Sequence, residues 1–185
     1  MTKSFFRLTT LALLSTVIAA SPSALTTAFA AGSDTPSTPP PSSDSKKGTK
    51  DQKLNPTKPD DRAFLDGYRA AYATIYDRND YAAAIPQLKA LNADDRADVA
   101  NLLGYSYRKL GDYKVSQAYY ERALKADPAH VRTWQYYGLW QLEQGNRDQA
   151  QYHLNKIGAL AGKDSPEYKS LSAALEKPPG TGLVY

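Results

Sequence analysis

The sequence predicts an all-α fold, a helix–turn–helix solenoid of about three units closed by a C-terminal capping helix. Three observations predict it. The stretches "VANLLGYSYRKLGDYKVSQAYYERALKADP" (Val99 to Pro128) and "TWQYYGLWQLEQGNRDQAQYHLNKIGALAG" (Thr133 to Gly162) overlay, so that Gly104 and Gly111 recur as Gly138 and Gly145, 34 residues on. Within each stretch the apolar residues recur at helical spacing rather than in alternation. Glycine or proline punctuates the stretches at matching places, as a repeated supersecondary unit requires.

The N-terminal end reads separately. Lys3 and Arg7 precede an apolar run, Leu8 to Ala20, and Ala28-Phe29-Ala30 supplies a small-x-small triplet before Ala31. This is the layout of a secretory signal peptide over residues 1–30, with cleavage after Ala30. An uncleaved anchor fits less well, because the apolar run is about 13 residues where spanning needs roughly 20. The chain has no cysteine. That excludes disulfides, thiolate metal sites and a thiol nucleophile, as well as the lipidated cysteine of a bacterial lipoprotein. The expected location is the periplasm of a Gram-negative bacterium.

Residues 31–58 are rich in Pro, Ser, Thr, Asp and Lys, with Leu54 the only large apolar residue. Such a segment buries too little surface to offset ordering entropy, so it reads as a disordered, partly extended spacer. The folded domain is placed at 59–177 and a flexible tail at 178–185. Of the 23 Lys and Arg, two lie in the head and five in the spacer, leaving 16 from residue 59. Of the 19 acids, Asp34, Asp44 and Asp51 precede the domain, also leaving 16. The domain is therefore neutral, and no basic face marks it as a nucleic-acid binder.

The first unit is assigned to 65–96. It overlays the second through Asp80 with Asp112 and Tyr81 with Tyr113, at an offset of 32. Tyr68, Ala71, Tyr72 and Ile75 form its first helical face. Asn79 stands at the left-handed turn position, and Pro86 is expected to kink its second helix. The second unit, 97–130, carries Ala100, Leu103, Gly104 and Tyr107, then Ser116, Tyr120, Ala123 and Pro128. The third, 131–164, carries Trp134, Tyr137, Gly138 and Gln141, then Ala150, Leu154 and Ile157. Gly104 and Gly138 sit inside helices at a cost of about 1 kcal/mol against alanine, which close helix approach would offset. In 165–177, Asp164 and Glu167 suit a capping box and Pro166 an early helical position. Tyr168, Leu171 and Leu175 make one apolar stripe of a capping helix.

These positions resemble the tetratricopeptide repeat (TPR), whose 34-residue pattern is Trp-x2-Leu-Gly-x2-Tyr, Ala-x3-Phe and Pro. The resemblance covers roughly 65–177, with departures at Ala100, Gln141 and Gly162. It implies an exported bacterial TPR protein that docks a peptide segment in a concave groove lined by the first helices. The residues it turns into that groove include Arg69 and Tyr76 from the first unit. Asn101, Tyr105 and Arg108 follow from the second, and Arg132, Gln135 and Leu139 from the third. The chaperone-tail clamp of some family members is absent, because Ala73, Leu102 and Tyr136 occupy three of its places.

Nothing in the residues points to an enzyme. His130 and His153 are the only histidines, read as exposed and unpaired for metal binding. Asp94, Asp95 and Asp98 lack the alternation of a calcium loop. No nucleophile elbow or phosphate loop appears. Tyr107, Tyr113, Tyr120 and Tyr137 are assigned to the core. No cofactor is expected, and the expected partner is a protein or peptide. The alternatives are a structural subunit that uses its convex face in an envelope assembly, and a small-ligand binder.

Overall fold

In a computed structural model the chain is described over residues 59–178, together with Leu54. The expected signal peptide, most of the expected spacer and the tail from 179 onward lie outside the described residues. Seven helices fill that span: α1 Pro59–Tyr76, α2 Tyr81–Ala90, α3 Ala97–Lys109, α4 Tyr113–Ala126, α5 Val131–Glu143, α6 Arg147–Ala161 and α7 Pro166–Glu176. The fold is an all-α helical solenoid of three helix pairs and one further helix.

The three intra-pair turns share one chemistry. Asn79, Gly111 and Gly145 all take the left-handed conformation, with φ of 55°, 81° and 79°. After α3 and α5 the turn is closed by a hydrogen bond reaching back five residues. Asp112 N–H donates to the Tyr107 carbonyl at 2.9 Å and Asn146 N–H to the Gln141 carbonyl at 2.8 Å. The next helix is then started by an acidic cap where one is present. Asp80 accepts from the Ala83 N–H at 2.9 Å and Asp112 from the Val115 N–H at 3.2 Å.

Two of the glycines expected to permit close approach do so. A Cβ at Gly104 would lie 2.8 Å from the Tyr120 ring, and one at Gly138 2.5 Å from Leu171 Cδ2. The α3–α4 approach also lets Ser116 Oγ donate to the Gly104 carbonyl at 2.7 Å. Tyr120, Leu103, Ile157 and Leu171 are fully buried around these contacts, each contributing roughly 1.5–3 kcal/mol by removal from water.

Several details differ from the sequence expectations. α1 begins at Pro59, ahead of Leu65, and places Asp60 and Asp61 in its first turn, where the helix dipole favours them. α2 continues as one helix through Pro86, whose ring faces the exposed side. The cap of α7 is Ser165 rather than Asp164, its hydroxyl accepting from the Tyr168 N–H. Tyr113 is 38 % exposed, because it opens α4 at the tip of a turn and not on its packed face.

The helices form two rows. α1 packs on α3, α3 on α5 and α5 on α7, whereas among the described residues α2, α4 and α6 do not pack on one another. The row of first helices is therefore the tighter one, and that closer packing makes it the inner face.

Candidate protein-interaction surface

The inner face is built from one stripe of each first helix. On α1, Tyr68, Tyr72 and Tyr76 follow one another at the four-residue spacing that stacks side chains along a helix. Asp98, Asn101 and Tyr105 continue the surface on α3, and Arg132 and Tyr136 on α5. The aromatic rings join across helices. Tyr105 stacks between Tyr76, at 5.6 Å between centroids, and Tyr136, at 4.8 Å. The Tyr76 and Tyr136 hydroxyls are hydrogen-bonded at 2.9 Å, and the Arg132 guanidinium acts electrostatically on the Tyr72 hydroxyl. Burial pushes the Tyr76 hydroxyl well above its ordinary pKa, and the Tyr136 hydroxyl adds to the shift. Burial likewise raises that of Tyr72 against the opposing pull of Arg132. The Tyr72 and Tyr76 phenols are therefore neutral donors and acceptors at ordinary pH.

The structure distributes the eight expected groove residues unevenly. Arg69 is exposed and ion-paired with Asp66 at 3.3 Å, a contact that solvent makes weak. Tyr76 and Arg132 are half-buried. Asn101, Tyr105, Arg108, Gln135 and Leu139 are each at most 3 % exposed, so the openness expected of them is corrected. The physical reason is the tight first-helix row. The face turned away from a unit's own second helix is covered by the first helices of the neighbouring units. Arg108 shows this most fully. It leaves the groove altogether to pair with Glu143 on α5.

Asn101 is the exception among the buried residues. At 1 % exposure its Oδ1 has no hydrogen-bond partner, and it lies on the same α3 stripe as Tyr105 and Asp98. An unsatisfied buried acceptor costs about 1–3 kcal/mol, so a donor arriving at this place would recover stability. Tyr136 stands at one of the groove places the sequence assigns, whereas Tyr72, assigned to the packed face of its helix, is also an inner-face residue. The run of tyrosines 68, 72 and 76 was the available signal.

The two histidines are also not the exposed groups expected. His153 is 4 % exposed, with edge-on contacts to Trp134 and Tyr137, and burial lowers its pKa to about 4. His130 is half-buried at the start of α5, its Nδ1 at 2.6 Å from Thr133 Oγ1, and burial lowers its pKa as well. Among the described residues, no group of three or more His, Cys, Asp or Glu is placed to hold a metal ion. No helix of the described residues is long and apolar enough to cross a membrane.

No curated protein matches the chain. A family profile described as tetratricopeptide repeat does match, over residues 107–175, from the end of α3 to the end of α7. Repeats of this kind generally mediate protein–protein interaction and are typically non-catalytic. The matched segment, the seven-helix solenoid and the repeated left-handed turns agree, and residues 107–175 are a tetratricopeptide repeat segment within an all-α solenoid of the same kind.

Proposed function

We propose that the chain is a non-catalytic interaction module of the bacterial cell envelope that docks a peptide segment on the inner face formed by α1, α3 and α5. The observation that carries this reading is the buried, unpartnered Asn101 Oδ1 beneath a surface of tyrosine and arginine spanning three units. An extended peptide brings a main-chain N–H at every residue, which a lone acceptor of this kind suits. Aromatic and Arg side chains are the groups that commonly anchor such contacts. The affinity expected is micromolar, about −8 kcal/mol. Envelope location follows from the signal-peptide layout of residues 1–30, and the spacer at 31–58 gives the module reach.

The test is a crosslinked pull-down from cell-envelope extract, with the wild-type chain beside Arg69→Glu/Arg132→Glu. Both positions are accessible, so the variant changes the surface without opening the core. A partner captured by the first and lost by the second supports docking on the inner face. Retention by both moves the contact to the outer face, where Tyr152 and Leu160 of α6 are 49 % and 45 % exposed. That outcome would favour a structural subunit of an envelope assembly.

A further inference from the structure

The neutral charge of the domain is not spread evenly over its two rows of helices. On α2, α4 and α6 the exposed cations are Lys89, Lys114, Arg122, Lys125 and Lys156, against two exposed acids, Glu121 and Asp148. On α1, α3, α5 and α7 the exposed charges cancel, with Arg62, Arg69 and Lys169 set against Asp60, Asp66 and Glu176. Lys114, Ala118, Arg122 and Lys125 recur at steps of four, four and three, so α4 carries a basic stripe along one face. Its one acid is engaged. Glu121 accepts from Gln117 Nε2 at 2.8 Å and from the Tyr137 hydroxyl at 3.2 Å. Arg122 reaches Asp94 in the loop after α2 at 3.2 Å, an exposed ion pair that solvent weakens.

The apolar side chains follow the same division. Among the described residues the exposed large hydrophobic ones are Leu110, Tyr113, Tyr152 and Leu160. Tyr113 opens α4, Tyr152 and Leu160 lie on α6, and Leu110 lies at the turn leading into α4. None lies within α1, α3, α5 or α7. Three of the five cations also rest on aromatic rings. Lys156 lies over Tyr152 at 5.3 Å, Lys89 over Tyr107 of α3 at 5.6 Å, and Arg122 over Tyr119 at 5.0 Å. Lys, Arg, Tyr and Leu together are the groups that settle at the boundary between lipid headgroups and acyl chains. Nucleic-acid phosphates would use the cations but offer an exposed leucine nothing.

Beyond the docking reading above, we propose that the outer row, through α4 and α6, rests on an anionic lipid surface. Lys114, Arg122, Lys125 and Lys156 meet the headgroup phosphates, and Tyr152 and Leu160 enter between the headgroups. The contact is peripheral and crosses no bilayer. It turns the row of first helices away from the lipid and leaves that row open to other partners. Charge supplies most of the attraction, so binding weakens as salt rises.

The chain has no cysteine, so a single labelling site can be introduced. Ala118→Cys on α4 and Ala70→Cys on α1, both at exposed positions, each carry an environment-sensitive fluorophore on the full chain. Vesicles of phosphatidylcholine alone are compared with vesicles of phosphatidylcholine mixed with phosphatidylglycerol, at low and high salt. The label at 118 is expected to shift to the blue on the mixed vesicles at low salt only, and the label at 70 on neither. In the Ala118→Cys chain, Lys114→Gln/Lys125→Gln should weaken lipid binding about 25-fold, about fivefold for each lysine. Leu160→Ser leaves every charge in place and should weaken it about fivefold. Residues 1–58 are the same in all of these chains, so the differences belong to the outer row. No shift at 118, or an equal shift at 70, overturns the proposal. An equal response to a DNA oligonucleotide, with no loss in Leu160→Ser, overturns the lipid in favour of a nucleic acid. Neither outcome touches the docking reading, which Arg69 and Arg132 test separately.

Discussion

Arg108 of α3 grips Glu143 of α5 through two parallel hydrogen bonds, Nε to Oε2 and Nη2 to Oε1, both at 2.9 Å. The side chains are 1 % and 7 % exposed, so the pair joins the second and third units out of water. Desolvating two charges costs several kcal/mol, which bidentate geometry offsets only while both partners are present. Glu143→Ala is therefore expected to destabilise the chain by about 3–5 kcal/mol, because it strands the Arg108 cation. The double variant Arg108→Met/Glu143→Leu should recover most of that loss. Urea unfolding of the single and double variants measures both effects, and a double variant no better than the single one would remove the ion pair as the cause.

Gly104 and Gly67 should answer oppositely to the same change. Alanine gains about 1 kcal/mol over glycine in either helix. At Gly104 the added methyl meets two atoms of the fully buried Tyr120 ring at 2.8 Å, and the ring has no room to retreat. Overpacking of about 1–3 kcal/mol then exceeds the helical gain. At Gly67 the methyl meets only Leu91 Cδ2, the far end of a flexible side chain that is half-buried. Gly104→Ala is expected to lower Tm, and Gly67→Ala to leave it unchanged or raise it. Thermal unfolding by circular dichroism distinguishes the pair.

The same contrast shows how far the sequence could be read. Glycine positions, turn residues and the 34-residue period are local or repeat with the unit, so they mark the helices, the turns and the two glycines of close approach, while the partners at those glycines, Tyr120 of α4 and Leu171 of α7, come from the structure. The inner-face residues were misjudged for a related reason. A period tells which side of a first helix meets its own second helix, but not how tightly neighbouring units close on the opposite side. Tyr105 and Leu139 look like solvent-facing positions within a unit and are buried between units. Arg108 and Glu143 lie 35 residues apart, almost one period, and opposite charges at that offset were a usable sign of an inter-unit pair. No comparable sign marks the Tyr76–Tyr136 bond, because it joins residues 60 apart on helices that meet only through α3 between them.

His153 makes stability depend on pH. Burial among Trp134, Tyr137 and Tyr152 lowers its pKa to about 4 from an ordinary 6.5, with the Trp134 carbonyl opposing the shift. The folded pKa lies below the unfolded one, so the unfolded chain binds more protons between these values. Stability is full above pH 6.5 and falls as pH drops towards 4, by about 3 kcal/mol across that window. His130, lowered in the same direction, adds to the fall. His153→Phe keeps an aromatic ring without a proton to bind, and should flatten the slope. Urea midpoints at pH 7.5, 5.5 and 4.5 for both chains give the comparison, and parallel slopes would exclude His153 as the source.

Arg147 holds the last helix in place. Its Nη1 donates to the Lys177 carbonyl at 3.1 Å and its Nη2 to the Leu175 carbonyl. These are carbonyls that a helix end leaves without intrahelical donors, and a cation there also complements the helix dipole. α7 in turn covers α5 and α6, placing Leu171 against Gly138. Removing the guanidinium should therefore loosen the C-terminal end of α7 first and expose α5 second. Arg147→Ala is expected to cost about 1–2 kcal/mol and to speed amide hydrogen exchange in residues 166–177 well before α3 or α4 responds. Arg147→Lys restores the charge but not the forked reach to two carbonyls, so it should recover only part of the protection. Full protection of 166–177 in Arg147→Ala would show that the apolar contacts of Leu171 and Ala174 hold α7 without this clasp.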